Sequence, residues 1–228
     1  MLIIHPDPAR RIDLPGAGPC PRPVDIDRTR TGFGNLVSLR VYTFALGVTI
    51  DGEAEEDEVF VVLMRGEAEI AVSGEGRETG AFALRREGGM RAVYLPPHAS
   101  YRLSAHSDCD IAYARVAARE TRFPATRGFA PAGDRLDIAR HAVGMDLALD
   151  TVCAGQAVDP AEHGHLLERF LHIRADGAAS ITIAGQPLHD WDSVALGTGE
   201  HAALAVGAGT VEVLTIMASA KGHVPTEI

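Results

Sequence analysis

The chain has 228 residues, 46% of them hydrophobic, enough to build one large packed domain or two small ones. Its 21 basic against 31 acidic residues give a net charge of minus 10, which argues against a nucleic-acid partner or an anionic membrane surface. Lys221 is the only lysine, so Schiff-base chemistry has little scope and an anionic substrate would have to be met by arginines.

Cys20, Cys109 and Cys153 are odd in number and widely spaced, which indicates neither a disulfide framework nor a thiolate metal site. A reducing, cytoplasmic setting is expected. The N-terminus has no basic stretch followed by a long apolar one, and no later run approaches membrane-spanning length, so a soluble protein is expected.

Residues 1–30 are punctuated by Pro6, Pro8, Pro15, Gly16, Gly18, Pro19, Pro21 and Pro23 and show no sustained periodicity, which reads as an arm. Strand patterns then begin at Leu36–Phe44, continue through Val59–Leu63 and Ala68–Val72, and resume at Ala92–Leu95 and Asp110–Val116. Asp51-Gly52, Ser73-Gly74 and Gly88-Gly89 supply turns between them. The stretch 119–135 holds Pro124, Gly128, Pro131 and Gly133 without alternation and reads as a linker. A second strand series follows at Met145–Val152, Glu168–Ile173, Ser180–Ile183, Ser193–Leu196, Ala202–Val206 and Val211–Met217. No stretch keeps a helical period long enough to carry a domain.

The two series are weakly self-similar. Val93-Tyr-Leu-Pro-Pro-His-Ala-Ser100 overlays Val194-Ala-Leu-Gly-Thr-Gly-Glu-His201. An all-β protein of two jelly-roll-like barrels from one duplicated unit is the economical reading, with an arm at 1–30, barrels at 31–118 and 136–228, and the linker between.

The densest chemistry lies between residues 163 and 201. His163 and His165 are two apart, so an extended backbone presents both imidazoles on one face. Glu168 opens the next strand, and His201 follows a glycine-bent turn. Three imidazoles and one carboxylate suit one divalent transition metal, such as zinc, iron, manganese, nickel or cobalt. In the overlay Ser100 takes the place of His201, and Glu53-Ala-Glu-Glu-Asp-Glu58 has no histidine. The first barrel is therefore expected to be metal-free, a scaffold and a homodimer surface. Alternation puts Phe170, His172 and Arg174 on the face of Glu168, where they should line the second barrel or its mouth. Phe170 fits core as well as a substrate platform, and His172 fits a satisfied interior histidine as well as a ligand-supporting one. Arg174 is the carboxylate-binding candidate, because guanidinium matches carboxylate in a bidentate fork.

His-x-His, Glu168 at a strand start and Gly197-Thr-Gly-Glu-His201 together resemble the metal motif of cupin barrels. With Glu58-Val-Phe-Val-Val-Leu, Ala92-Val-Tyr-Leu-Pro-Pro-His-Ala-Ser-Tyr101 and Thr215-Ile-Met-Ala, the chain resembles the bicupin isomerases of the 5-deoxy-glucuronate isomerase family, related to 5-keto-4-deoxyuronate isomerase. The resemblance covers most of residues 31–220. It implies an aldose–ketose isomerisation of a sugar acid in inositol breakdown, with the metal as Lewis acid and a base carrying a proton between adjacent carbons. Glu168, His172 and Arg174 are the catalytic candidates. Glu200 and Glu162 are base candidates by position, although a residue beside an inward ligand points outward. An iron-dependent cupin dioxygenase and a non-catalytic sugar-binding bicupin are the competing readings.

Overall fold

The computed structural model describes residues 1–73, 80–118, 126–133, 135–138, 142, 144–159 and 167–218. The arm carries β1 (Leu2–Ile4), β2 (Arg11–Leu14), β3 (Gly18–Pro21), β4 (Val24–Asp27) and the one-turn helix α1 (Arg28–Thr31). The first half holds β5 (Leu36–Phe44), β6 (Thr49–Glu53), β7 (Asp57–Arg65), β8 (Glu67–Ser73), β9 (Gly80–Arg85), β10 (Ala92–Leu95), β11 (Ser100–Ala105) and β12 (Cys109–Ala117). The connection contributes β13 (Arg127–Phe129) and β14 (Arg135–Ile138). The second half holds β15 (Met145–Cys153), β16 (Ala157–Val158), β17 (Arg169–Ala175), β18 (Ser180–Ile183), β19 (Gln186–Leu188), β20 (Ser193–Leu196), β21 (Leu204–Ala208) and β22 (Thr210–Ala218). No described helix is long and apolar enough to cross a membrane.

The sheets repeat. The first half has a six-stranded sheet β13-β10-β7-β12-β5-β4 and a four-stranded sheet β6-β11-β8-β9; the second has β1-β20-β17-β22-β15-β14 and β16-β21-β18-β19. Position by position, β7 answers to β17, β10 to β20 and β12 to β22. The duplication expected from the overlay is present, and its register holds: Leu95 pairs with Val59 as Leu196 pairs with Arg169. Each half is an open two-sheet sandwich of jelly-roll type rather than a closed barrel. Gly66, between β7 and β8, has φ of 80°, and a Cβ there would lie 2.3 Å from the Asp108 carbonyl, so that hairpin requires glycine.

Among the described residues three apolar cores result. Val59, Val61 and Leu63 fill the first sandwich together with Ile111 and Tyr113, and Leu171, Ile173, Val211 and Val213 fill the second. Between the halves the two large sheets meet back to back through Phe60, Val62, Ala114, Leu147, Phe170 and Ile216. Burial on both faces explains why β7 reads as the unbroken apolar run Val59–Met64, and why β22 is apolar except for Glu212 and two threonines, instead of alternating.

The segments read as arm and linker join these sheets. β1 is an edge strand of the second half, β4 an edge strand of the first, and the β2–β3 hairpin packs Cys20 into the first sandwich. Strand β13 belongs to the first half's large sheet and β14 to the second's. These strands run only 3 to 4 residues, too short for a period to register.

Candidate functional site

The central strand β17 decides which side chains enter the second sandwich. Leu171 and Ile173 point inward, so Arg169 does too, while the alternate set Glu168, Phe170, His172 and Arg174 turns toward the first half. The expectation that this second set lines the barrel is corrected. Alternation gave the right grouping, but both faces of the strand are buried and it could not say which one is the lumen.

Each member of that set has a partner at the seam. The Glu168 carboxylate accepts backbone N–H groups from Gly34 at 2.6 Å, Asn35 at 2.8 Å and Leu36 at 3.0 Å. These are the residues that lead from α1 into β5. Phe170 packs on Phe33 with ring centroids 5.1 Å apart. His172 is fully buried, with Nδ1 3.0 Å from the Ser193 hydroxyl and its ring edge-on to Trp191. Burial, with Arg174 nearby, pulls its pKa down to about 3, so it is a neutral imidazole at ordinary pH. Arg174 donates to Asp110 at 2.5 Å and Asp190 at 3.1 Å, and its guanidinium lies 4.0 Å from the Trp191 ring centroid. This arginine is spent on acids of the protein itself.

Of the four expected metal ligands, His163 and His165 lie outside the described residues, as does Glu162. His201 is exposed ahead of β21, and Glu168 faces the seam. Among the described residues no three His, Cys, Asp or Glu side chains converge on one point. Of the expected set only Glu168 and His201 can be placed, and no described residues complete a cluster around either. Glu200 pairs with the Met1 amine and accepts the Gly197 N–H at 2.6 Å, contacts that hold its carboxyl below the usual range.

The face of β17 turned into the second sandwich also carries Arg169. It is 1% exposed, Nη2 donates to the Glu200 carbonyl, and Nε and Nη1 have no hydrogen-bond partner among the described residues. Burial lowers its pKa, against the opposing pull of Asp159 and Glu200. On the neighbouring strand Thr215, 2% exposed, has a hydroxyl without a partner among the described residues and lines a cavity of about 390 Å³ with Asp150, Val152, Val158 and Asp159. Leu171 pairs with Thr215 and Arg169 with Met217, so Arg169 and Thr215 are diagonal neighbours on one face, with Cα atoms roughly 7–8 Å apart. The sequence carried a signal for Arg169. Glu58-Val-Phe-Val-Val-Leu laid on Glu168-Arg-Phe-Leu-His-Ile sets it against Val59.

A duplicated two-sheet jelly-roll defines the class: this is a bicupin. The chain belongs to the KduI/IolB family, whose model matches residues 21–137, just over half of its length. That family comprises sugar isomerases, 5-keto-4-deoxyuronate isomerase among them. The match covers the first half and the connection, and ends before His163. No curated protein matches the chain in sequence. Among solved structures, an IolB-like protein from Salmonella typhimurium LT2 is similar at 16% identity, with a TM-score of 0.67 over 87% of this chain and 89% of that one. The protein Ylba from E. coli gives 14% identity and a TM-score of 0.70 over 95% and 90% of the two chains. The bacterial pirin YhhW from E. coli, crystallised with nickel(II), gives 12% and 0.63 over 96% and 100%. At these identities the structural likenesses establish the fold.

Proposed function

We propose that the protein isomerises a uronate-like sugar acid, with 5-deoxy-glucuronate of inositol catabolism as the leading substrate, and that the lumen of the second half is the substrate site. The observation that carries this reading is membership of the KduI/IolB family. A partly open, polar cavity with Asp150 and Asp159 in its wall supports it.

An aldose–ketose isomerisation moves one hydrogen between neighbouring carbons and one proton between their oxygens, with no net oxidation and no co-reactant. It needs a base within reach of the carbon-bound proton and an environment that tolerates the enediolate. Asp150, with its side chain 17% exposed and Arg135 at 3.3 Å, and Asp159 are the carboxylates that line the cavity. They take the place of the base candidate Glu200, whose carboxylate is engaged by the Met1 amine and the Gly197 N–H. A divalent metal held by His163, His165 and His201 would supply a Lewis acid for the sugar carbonyl.

The test is incubation with 5-deoxy-glucuronate in deuterated water, followed by proton NMR. Conversion to the ketose with deuterium at the carbon that receives the proton, without oxygen uptake, is the expected result. Oxygen consumption would move the dioxygenase reading to first place. Binding without conversion of this or related uronates would favour the sugar-binding module.

A further inference from the structure

We propose that the first sandwich holds a second ligand site, a cavity between Tyr42, Tyr101 and Tyr113 that takes a neutral single-ring ligand bearing a hydroxyl. The site goes beyond the isomerase reading and stands apart from it, because it lies in the half that carries none of the expected metal ligands.

The cavity is partly open, has a volume of about 150 Å³ and is walled by strands β5, β6, β7, β11 and β12. Strand register makes it the counterpart of the cavity in the second half. Val61 pairs with Tyr113 as Leu171 pairs with Thr215, and Ile111 pairs with Tyr42 as Val213 pairs with Asp150. Tyr113 and Tyr42 therefore stand where Thr215 and Asp150 line the other hollow. The duplication keeps a hollow at this place in both halves and changes its lining from hydroxyl and carboxylate to aromatic rings.

Two features point to a ligand rather than to an imperfectly filled core. Tyr113 is 6% exposed, and its hydroxyl has no hydrogen-bond partner among the described residues. The Tyr101 phenol beside it is close enough to influence its ionisation but is not placed to satisfy it. Burial holds the Tyr113 pKa well above the ordinary phenol range, so the group stays a donor. A buried donor left unmet costs stability, and an acceptor on a ligand recovers that cost. The second feature is Gly52, which pairs with Tyr101. A Cβ there would lie 2.4 Å from Cζ and Oη of that tyrosine, so glycine leaves the ring its place in the cavity wall.

The lining selects the class of ligand. Tyr42 and Tyr113 stand edge to face with centroids 5.4 Å apart, and Tyr101 lies 6.1 Å from Tyr113. Leu14, Ile50 and Val59 add apolar wall. Such surroundings favour a ring through edge-to-face and offset contacts, and a cavity of this volume matches one six-membered ring. An anion is disfavoured because the arginines at the cavity are engaged. Arg115 donates to Asp57 at 3.0 Å, to Glu55 at 2.9 Å and to the Ala54 carbonyl at 2.7 Å, and Arg40 donates to Asp25 at 3.2 Å. A sugar would leave most of its hydroxyls unmet against rings and aliphatic side chains. A single hydroxyl on a ring satisfies Tyr113.

The experiment titrates the full chain with phenol, benzene, benzoate and glucose by calorimetry, for the wild type and for Tyr113→Phe, Gly52→Ala and Thr215→Val. Phenol should bind wild type at one site per chain, at least tenfold more tightly than benzoate or glucose and roughly tenfold more tightly than benzene. Tyr113→Phe should weaken phenol roughly tenfold, to the level of benzene, and leave benzene within about twofold. Gly52→Ala should weaken both at least tenfold, because its methyl group displaces the Tyr101 ring from the wall. Thr215→Val, at the counterpart position of the second half, should leave phenol within about twofold. Tyr113→Phe removes only an unmet hydroxyl and should keep or raise the thermal midpoint, so it decides the question if Gly52→Ala does not fold. No phenol binding by wild type, unchanged phenol affinity in Tyr113→Phe or in folded Gly52→Ala, equal affinity for benzoate or glucose, or loss of phenol binding in Thr215→Val would each overturn the site. None of these outcomes bears on uronate turnover, which the deuterium experiment tests by itself.

Discussion

Glu58 and Glu168 are pseudosymmetric counterparts, each reaching from the central strand of its own half to hold the backbone that enters the first long strand of the other. Glu168 accepts the N–H groups of Gly34, Asn35 and Leu36 at the start of β5, while Glu58 accepts that of Gly144 at 2.8 Å, immediately before β15, and the Tyr94 hydroxyl at 2.8 Å. Asp110 and Glu212 repeat the device with side chains. Asp110 takes Arg174 from the second half, and Glu212 takes both terminal nitrogens of Arg91 from the first at 3.1 Å. The duplication thus builds a reciprocal seam between the halves.

This relationship gives Glu168 a structural role that a metal-ligand reading does not contain. Glu168→Gln should lower unfolding stability by about 2–4 kcal/mol, because an amide cannot accept all three N–H groups and buried donors go unmet. Urea denaturation measures the loss, and elemental analysis of the same preparations supplies the contrast. Metal content should not change between wild type and variant. A variant with wild-type stability that has lost bound metal would restore Glu168 to the ligand set.

Arg174→Met should cost about 3 kcal/mol, because Asp110 is fully buried and, among the described residues, would keep Thr43 and the exposed Arg65 as partners. Affinity for glucuronate should stay within twofold of wild type. A variant that keeps its stability but loses glucuronate would make Arg174 the carboxylate anchor after all.

His172 makes the seam acid-sensitive. Its folded pKa of about 3 lies below the 6.5 of a free imidazole, so the unfolded chain takes up a proton first as pH falls. Its contribution to stability is complete above pH 6.5, is lost below that at up to about 1.4 kcal/mol per pH unit, and levels off near pH 3. His172→Leu should flatten the difference in urea midpoint between pH 7 and pH 5. An unchanged difference would show that other groups set the acid limb.

How much of this was legible in the sequence depends on what each residue's neighbours reveal. The long strands were readable because their apolar runs and glycine turns are local signals, and the overlay of Ser100 on His201 carried the duplication with its register. The side of β17 was not readable. Glu168, Phe170, His172 and Arg174 form one face and Arg169, Leu171 and Ile173 the other, both mixed in polarity, and only the second half's packing against the first assigns them. Placing Val59 against Arg169 needed no structure. Its meaning did, since a charged residue in a strand is ordinarily solvated and this one is not.

The arm supplies the last prediction, because β1 is far in sequence from the sheet it completes. Leu2, Ile3 and Ile4 pair with Ala195, Val194 and Ser193 on β20, and Ile4 is 3% exposed in the core between the halves. Nearby, His5 Nδ1 lies 2.8 Å from the buried Asp192 carboxylate, which also accepts the His189 N–H at 2.9 Å. The strand therefore contributes both a side chain to the central core and a cover for an otherwise open sheet edge. Ile4→Ala should lower stability by about 2–4 kcal/mol through lost burial and the cavity left behind. Removing residues 1–4 should do more than add to that loss. It leaves the N–H and C=O groups of β20 unpaired at an edge, and such an edge recruits a second chain. Sedimentation velocity on the shortened protein should show concentration-dependent association that the Ile4→Ala protein lacks. If the shortened protein stays in the wild-type association state, with the wild-type urea midpoint, β1 does not hold that edge in solution.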